Sequence, residues 1–328
     1  YPPSKIEEIV LQIDWSEIFR GTNPRSRMAL IERWESGRYL VSLPMDRFRI
    51  RLPTGFTQGE RITSILSLLT VNALAADSFD RLPVPFRAVS TDLVTGERVA
   101  MASGPLPEAI RASMAFPLFF TPVEMEGWLL VDGGLVDNFP VDVAKEMGSE
   151  IVIGSDVTSP LREKKDLDTP LAVGDQAISL HMVASAREMR DRADAAVVPD
   201  LAEVTPADFE RATEIILAGY EAARRSPELR RIAEALAGGK PAARPAPPAP
   251  VLAGIQVRGA QRFTRRQLAD LDGAVAGKPL EVPALPEAIR RAAGQEFFRS
   301  AHFELEPGPD GNPVLVMEVS EKQTDRFN

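Results

Sequence analysis

Apolar positions along the chain fall either at helical spacing or in short unbroken runs, a pattern that predicts helices alternating with buried strands. Residues 5–10 follow Pro2-Pro3-Ser4, so a helix is expected there with Ser4 as N-cap and Glu7 completing a capping box. Residues 57–74 repeat the signal, with Thr57 and Glu60 as the box and Ile62, Ile65, Leu66, Leu69 and Leu74 on one face. A strand over 85–92, a turn at Thr95-Gly96-Glu97 and a strand over 98–102 predict a hairpin. A short helix over 107–114 opens on a proline, where no backbone donor is missed, and Phe116-Pro117 ends it.

The apolar run 128–131 reads as a buried strand, residues 142–147 as a helix closed by Gly148, and 151–155 as a strand of the buried parallel type. The first and last of these are expected to form a βαβ unit. A helix over 171–193, a strand over 195–198 and two helices reaching Ala237 continue the alternation, so the expected fold is a layered α/β domain over 1–237. Residues 238–250, Gly-Gly-Lys-Pro-Ala-Ala-Arg-Pro-Ala-Pro-Pro-Ala-Pro, have almost nothing to bury and read as a semi-rigid linker. Beyond it, a strand over 255–259, helices over 264–271 and 283–294, and strands over 301–305 and 314–319 predict a small β-α-α-β-β module spanning 251–328.

Composition narrows the chemistry. A net charge of -9 argues against a nucleic-acid surface, which needs Lys and Arg to neutralise phosphates. With no cysteine there are no disulfides, thiolate metal sites or Cys nucleophile, and with only His181 and His302 a transition-metal site is not expected. No cofactor is expected. No apolar stretch reaches the roughly 18 residues of a membrane-spanning helix. The chain opens at Tyr1 without Met, basic segment or apolar signal core, which points to a processed or truncated start.

The residues that stand out chemically are 129–140, Leu-Leu-Val-Asp-Gly-Gly-Leu-Val-Asp-Asn-Phe-Pro. Asp132 ends an apolar run, and Gly133 and Gly134 permit backbone angles and close approaches that a side chain forbids. Such an acid is a candidate general base, because burial makes a carboxylate a stronger base; the bland alternative is a turn aspartate leaving a strand. Asp92, Asp137, Asp142 and Asp156 fall at strand ends and helix starts, where turns or caps account for them. Met114, Phe116, Leu118, Phe119 and Phe120 suit either an acyl-chain pocket or plain core packing.

In order along the chain, Ala-Val-Ser-Thr-Asp-Leu-Val-Thr-Gly (88–96), Ala-Ile-Arg-Ala-Ser-Met-Ala-Phe-Pro (109–117), the Asp132 segment, Gly-Ser-Glu-Ile-Val-Ile-Gly (148–154) and Asp-Ala-Ala-Val-Val-Pro-Asp (194–200) closely resemble bacterial patatin-like phospholipases. The resemblance covers 1–225 and implies a three-layer α/β fold, a Ser-Asp dyad with Asp132 as its base, and hydrolysis of phospholipid or other acyl esters at a membrane surface. That family carries its serine on a Gly-x-Ser-x-Gly elbow and its oxyanion donors on a glycine-rich loop, and this chain has neither. The nucleophile is therefore expected upstream of Tyr1, and the chain as it stands is expected to be inactive. Ser113 lacks the glycine flanks of an elbow, and Ser90 and Ser155 are no better placed.

Residues 251–322 resemble a polypeptide-transport-associated (POTRA) domain through Ile255-Gln256-Val257-Arg258-Gly259, Gly277-Lys278-Pro279-Leu280, Phe297-Phe298 and the strand ending near Glu321. Such domains add an extended segment to a sheet edge and precede an outer-membrane barrel. Together the resemblances imply a type V secreted lipase, with the hydrolase secreted or on the cell surface, the small module in the periplasm at the outer membrane, and outer-membrane assembly or translocation partners. The alternatives are a noncatalytic passenger or transport-associated binding protein, and a cytoplasmic hydrolase with an unrelated tail.

Overall fold

A computed structural model describes residues 2–13, 15, 45–46, 49–50, 55–57, 59–70, 73–74, 76–201, 204–205, 208–239, 250–259, 277, 298–308 and 311–321. The chain groups into two compact units that do not follow its linear order. One is Tyr1–Thr22, Val89–Ala100 and Glu126–Ala242; the other is Asn23–Ala88, Met101–Met125 and Ala243–Asn328.

In the first unit, helix α1 (Pro3–Gln12) begins one residue before the expected cap: Pro2 holds the N-cap position, and Pro3 supplies a φ already suited to the first helical turn. Trp15 stacks on Phe209 with ring centroids 4.9 Å apart, tying this end to the turn before a later helix. Strand β4 (Ala88–Asp92) runs antiparallel to β8 (Trp128–Asp132), pairing Ser90 with Asp132, Thr91 with Val131 and Asp92 with Leu130. Strand β5 (Arg98–Met101) lies on the other side of β4, as the hairpin pattern predicts. The Asp92 carboxylate closes the turn by accepting from the N–H groups of Val94 and Thr95 and from the Thr95 hydroxyl, while Gly96 takes a φ of 75°.

After β8 come two short helices, α4 (Gly134–Asp137) and α5 (Val141–Glu146). Strand β9 (Ile153–Ser155), the long helix α6 (Pro170–Arg190) and strand β10 (Ala195–Val197) form a parallel βαβ unit, with Ile153 opposite Ala195. The expected βαβ pairing of 128–131 with 151–155 is thus corrected. Apolar runs reveal strands but not partners. Here Asp92 accepts from the Leu129 N–H, and Leu93 donates to the Leu129 carbonyl at 2.8 Å, which commits β8 to β4. Strand β9 is also less enclosed than a fully buried strand: Val152 is buried but Ile153 is 53% exposed. Val152 joins Phe139, Val141 and Ala186 in the core between the strands and α6. Helices α7 (Ala212–Arg225) and α8 (Pro227–Leu236) follow, split at Ser226, whose hydroxyl caps α8 by accepting from the Leu229 N–H.

The second unit holds the antiparallel pair β1 (Met45–Asp46) and β2 (Arg49–Ile50), and the parallel pair β3 (Gly55–Thr57) and β6 (Leu118–Phe120). Helix α2 (Glu60–Leu69) packs on α3 (Leu106–Ser113), and β7 (Val123–Met125) also belongs here. The expected Thr57 cap is overturned: Thr57 is in β3, and Gly59 begins α2 in the left-handed region at φ 71°. A Cβ there would sit within 2.7 Å of the Arg111 guanidinium carbon, so packing as well as φ demands glycine.

The same unit contains a three-stranded sheet in the order β11 (Gly254–Arg258), β13 (Val314–Glu321), β12 (Phe298–Glu306). β11 is parallel to β13, and β12 is antiparallel to it, the arrangement expected of the last two predicted strands joined by a turn. Leu252, Phe303, Leu315 and Met317 are buried in this region. The two predicted helices at 264–271 and 283–294, and residues 240–249 of the predicted linker, lie outside the described residues.

Gly154 is where β9 meets the core, because a Cβ on it would overlap Phe139 Cζ. Gly154→Ala is expected to lose on the order of 1–3 kcal/mol by overpacking, measured as a fall in the denaturation midpoint. The double variant with Phe139→Leu is expected to lose less than the sum of the single losses, since the shorter Leu leaves room for the added methyl group.

Candidate active site

Asp132 is the last residue of β8, preceded by the buried Leu130 and Val131. Its backbone carbonyl accepts from the Thr91 hydroxyl at 3.0 Å, fixing the strand end to β4. The chain then turns directly into α4. The N–H of Gly134 thereby points back at the carboxylate and donates to Asp132 Oδ1 at 2.8 Å.

Neither glycine of the motif is needed for an unusual φ. Gly133 has φ -66° and ψ -26°, ordinary right-handed values. What they provide is space. A Cβ on Gly133 would overlap the carbonyl oxygen of Val89 and lie 2.7 Å from its carbon, and one on Gly134 would meet the Asn138 side-chain oxygen and lie 2.6 Å from Met182 Cε. Backbone therefore touches backbone beneath Asp132, and the carboxylate is enclosed. Burial pushes its pKa up to about 6, partly offset by the Gly134 N–H. A group with that affinity takes a proton near neutral pH far better than an ordinary aspartate.

The other aspartates have different fates. Burial alone would raise Asp92, but the Thr95 hydroxyl and the N–H groups of Val94, Leu129 and Thr95 together hold it below its usual range. Asp156 is likewise buried yet held low, by Thr158 and by Arg190. Asp137 pairs with Arg98 at 2.9 Å, and Asp142 with Arg192 at 2.6 Å. Turn formation thus accounts for Asp92, as expected, whereas Asp137 and Asp142 are held by arginines distant in sequence. Among the described residues no group of carboxylates and histidines is arranged to hold a metal ion.

Ser90 faces Asp132 across the β4–β8 pair, but it is fully buried in mid-strand and cannot meet a substrate. Ser155 is in β9, and Ser113 ends α3. His181 is exposed on α6, and His302 is in β12 of the second unit. Of the candidate acyl-pocket residues, Phe120 is buried beneath the Arg111 guanidinium at 4.7 Å, and Phe119 is 43% exposed with its ring 6.1 Å from Phe116.

Sequence reasoning passed over Asn138, Thr158 and Arg190. Asn138 donates to Thr158 Oγ1 at 2.6 Å, and Arg190 donates through Nε to Asp156. The one available signal was the position of Asn138 inside the Asp132 motif; its partner Thr158 lies 20 residues away and Arg190 lies 34 from Asp156, so neither pairing left a local trace.

Residues 1–145 match the patatin-like phospholipase family model. An uncharacterized NTE family protein of Mycobacterium tuberculosis is 41% identical over 76 residues, 23% of this chain and 21% of that protein. A second NTE family protein of the same organism is 28% identical over 205 residues, 55% of this chain and 34% of its own length. Patatin-like phospholipase domain-containing protein 7 of Rattus norvegicus is 36% identical over 113 residues, 32% of this chain and 8% of that protein. The chain thus spans a third or less of these relatives.

Because burial raises the Asp132 carboxyl from its ordinary 3.8 to about 6, the folded state holds this proton more tightly than the unfolded chain does. The stabilisation is present in full below the unfolded value and is lost as pH rises through 6. Asp132→Asn keeps the oxygen that accepts from Gly134 and removes the charge. It is expected to match the wild type near pH 4 and to exceed it at pH 7 by up to roughly 3 kcal/mol, read from denaturation curves at the two pH values.

Proposed function

We propose that the intact protein is a lipid acyl hydrolase of the phospholipase A or lysophospholipase type, with Asp132 as the base of a Ser-Asp dyad. The observation that carries this reading is a carboxylate enclosed at a strand end, with one backbone N–H on it and a pKa raised to about 6. The patatin-like match over 1–145 supports it.

In this reading Asp132 takes the serine proton as the serine oxygen attacks the ester carbonyl carbon. The tetrahedral intermediate collapses to an acyl-enzyme, and the alcohol leaves with that proton. Water, deprotonated by the same carboxylate, then attacks the acyl group, and the serine recovers its proton as the fatty acid departs. The chain contains no Gly-x-Ser-x-Gly, so the serine and the oxyanion donors are supplied from outside these 328 residues, and the chain alone is inactive. The substrate is a phospholipid or related acyl ester presented at a membrane surface.

The same proposal assigns 1–237 to the hydrolase, 238–250 to a linker and 251–328 to a POTRA-like transport module. The last assignment is supported by the mixed sheet of β11, β13 and β12. On this assignment the hydrolase is exported and the module stands at the outer membrane.

The test is hydrolysis of a short-chain nitrophenyl ester and of phospholipid vesicles by the full-length protein. Asp132→Asn is expected to lower kcat on the order of 10²–10⁴-fold. Wild-type kcat/KM is expected to fall as pH drops below about 6, where Asp132 becomes protonated. Wild-type activity in Asp132→Asn overturns the role of Asp132, and a wild-type protein that cleaves neither substrate favours a noncatalytic passenger.

A further inference from the structure

A series of polar contacts runs from the interior of the unit to Asn138, which stands beside the residue that donates to Asp132. Arg190, on the last turn of α6, donates through Nε to one oxygen of Asp156. The Asp156 side chain is 1% exposed, so this carboxylate is sealed from water. Its own N–H donates to the Val197 carbonyl at 2.8 Å, which anchors it to β10. Thr158 bonds back to Asp156 twice, through its N–H at 2.8 Å and through its hydroxyl. The Thr158 oxygen accepts in turn from Asn138 Nδ2 at 2.6 Å. The other end of the Asn138 amide stands against Gly134, the residue whose N–H holds Asp132.

We infer that this series is a brace that orients the Asp132 carboxylate, with Thr158 and Asn138 as positioning residues for the reaction. The inference rests on the reading of Asp132 as the base. Simple satisfaction of buried groups explains less, because it does not require the amide oxygen of Asn138 to fill the space beside the Cα of Gly134, the residue that carries the donor to Asp132. The ends also differ usefully. At one end an ion pair fixes Asp156 against helix and strand, and at the other a four-residue helix, α4, has too few internal hydrogen bonds to hold its own orientation. Asn138 transfers the rigidity of the first to the second. A base displaced by about 1 Å loses on the order of a hundredfold in rate, so a brace acting on orientation is read in kcat and leaves substrate binding alone.

The experiment uses the full-length protein with a soluble nitrophenyl ester and thermal melts to verify folding. Thr158→Val keeps the shape and removes the hydroxyl that links Asn138 to Asp156. It is expected to lower kcat about 10- to 100-fold with KM within about twofold of wild type, and Thr158→Ser is expected to restore kcat to within about threefold. Asn138→Ala is expected to reproduce the kcat loss, and it decides the matter if Thr158→Val does not fold. A folded Thr158→Val or Asn138→Ala with wild-type kcat overturns the brace, as does a loss confined to KM. Asp132→Asn separates the two ideas. If it abolishes turnover while the brace variants retain it, only the brace fails; if it retains turnover, the dyad reading fails and the brace with it.

Discussion

The contact of Gly133 with the backbone of Val89 is the constraint on which the rest of the site depends. Two strands approach so closely at this point that the Val89 carbonyl occupies the volume a side chain would need. That contact places the end of β8 against β4, sets Asp132 opposite Ser90 and turns the chain at once into α4. The carboxylate is half-buried at this strand end, and burial raises its proton affinity.

Asp132 is distinguished from its neighbours by what compensates its charge. Asp92 is surrounded by N–H groups and a hydroxyl, Asp156 by Thr158 and an arginine, and Asp137 and Asp142 each face an arginine. Among the described residues, Asp132 has one backbone N–H and no cation. In a low-dielectric setting a compensated carboxylate is fixed as a structural anion, whereas an undercompensated one is poised to exchange a proton. The unit thus carries several buried or half-buried acids, and burial raises the proton affinity of one of them. The compensated Asp156 takes part as well, because its ion pair with Arg190 is the fixed point from which Asn138 is held against Gly134.

Much of the architecture was legible along the chain. The hairpin at 88–101, helices α3, α6, α7 and α8, and strands β11, β12 and β13 lie where apolar spacing and turn residues place them. Where local signals competed, sequence reasoning failed at element ends. Ser4 and Thr57 satisfied a capping pattern, but Pro2 with Pro3 and the left-handed Gly59 began those helices, because backbone geometry at the first turn outweighs one side-chain bond.

The sequence by itself determined that Asp132 ends a buried strand before two glycines, since both features are local: an apolar run must be covered, and glycine alone lacks a side chain. Only the tertiary structure decided which strands pair, that the glycines provide space rather than unusual angles, and that, among the described residues, Asp132 has no cation while Asp137, Asp142 and Asp156 have arginines and Asp92 has several neutral donors. Those outcomes depend on Val89, Met182, Arg190 and Arg192, tens of residues from the groups they act on, and pairing at such separation is fixed by packing of the whole unit. The brace through Asn138, Thr158 and Asp156 is of the same kind. Each member is an ordinary polar residue in sequence, and only their assembly at hydrogen-bond distance from one another, with Asn138 beside Gly134, brings them near the carboxylate.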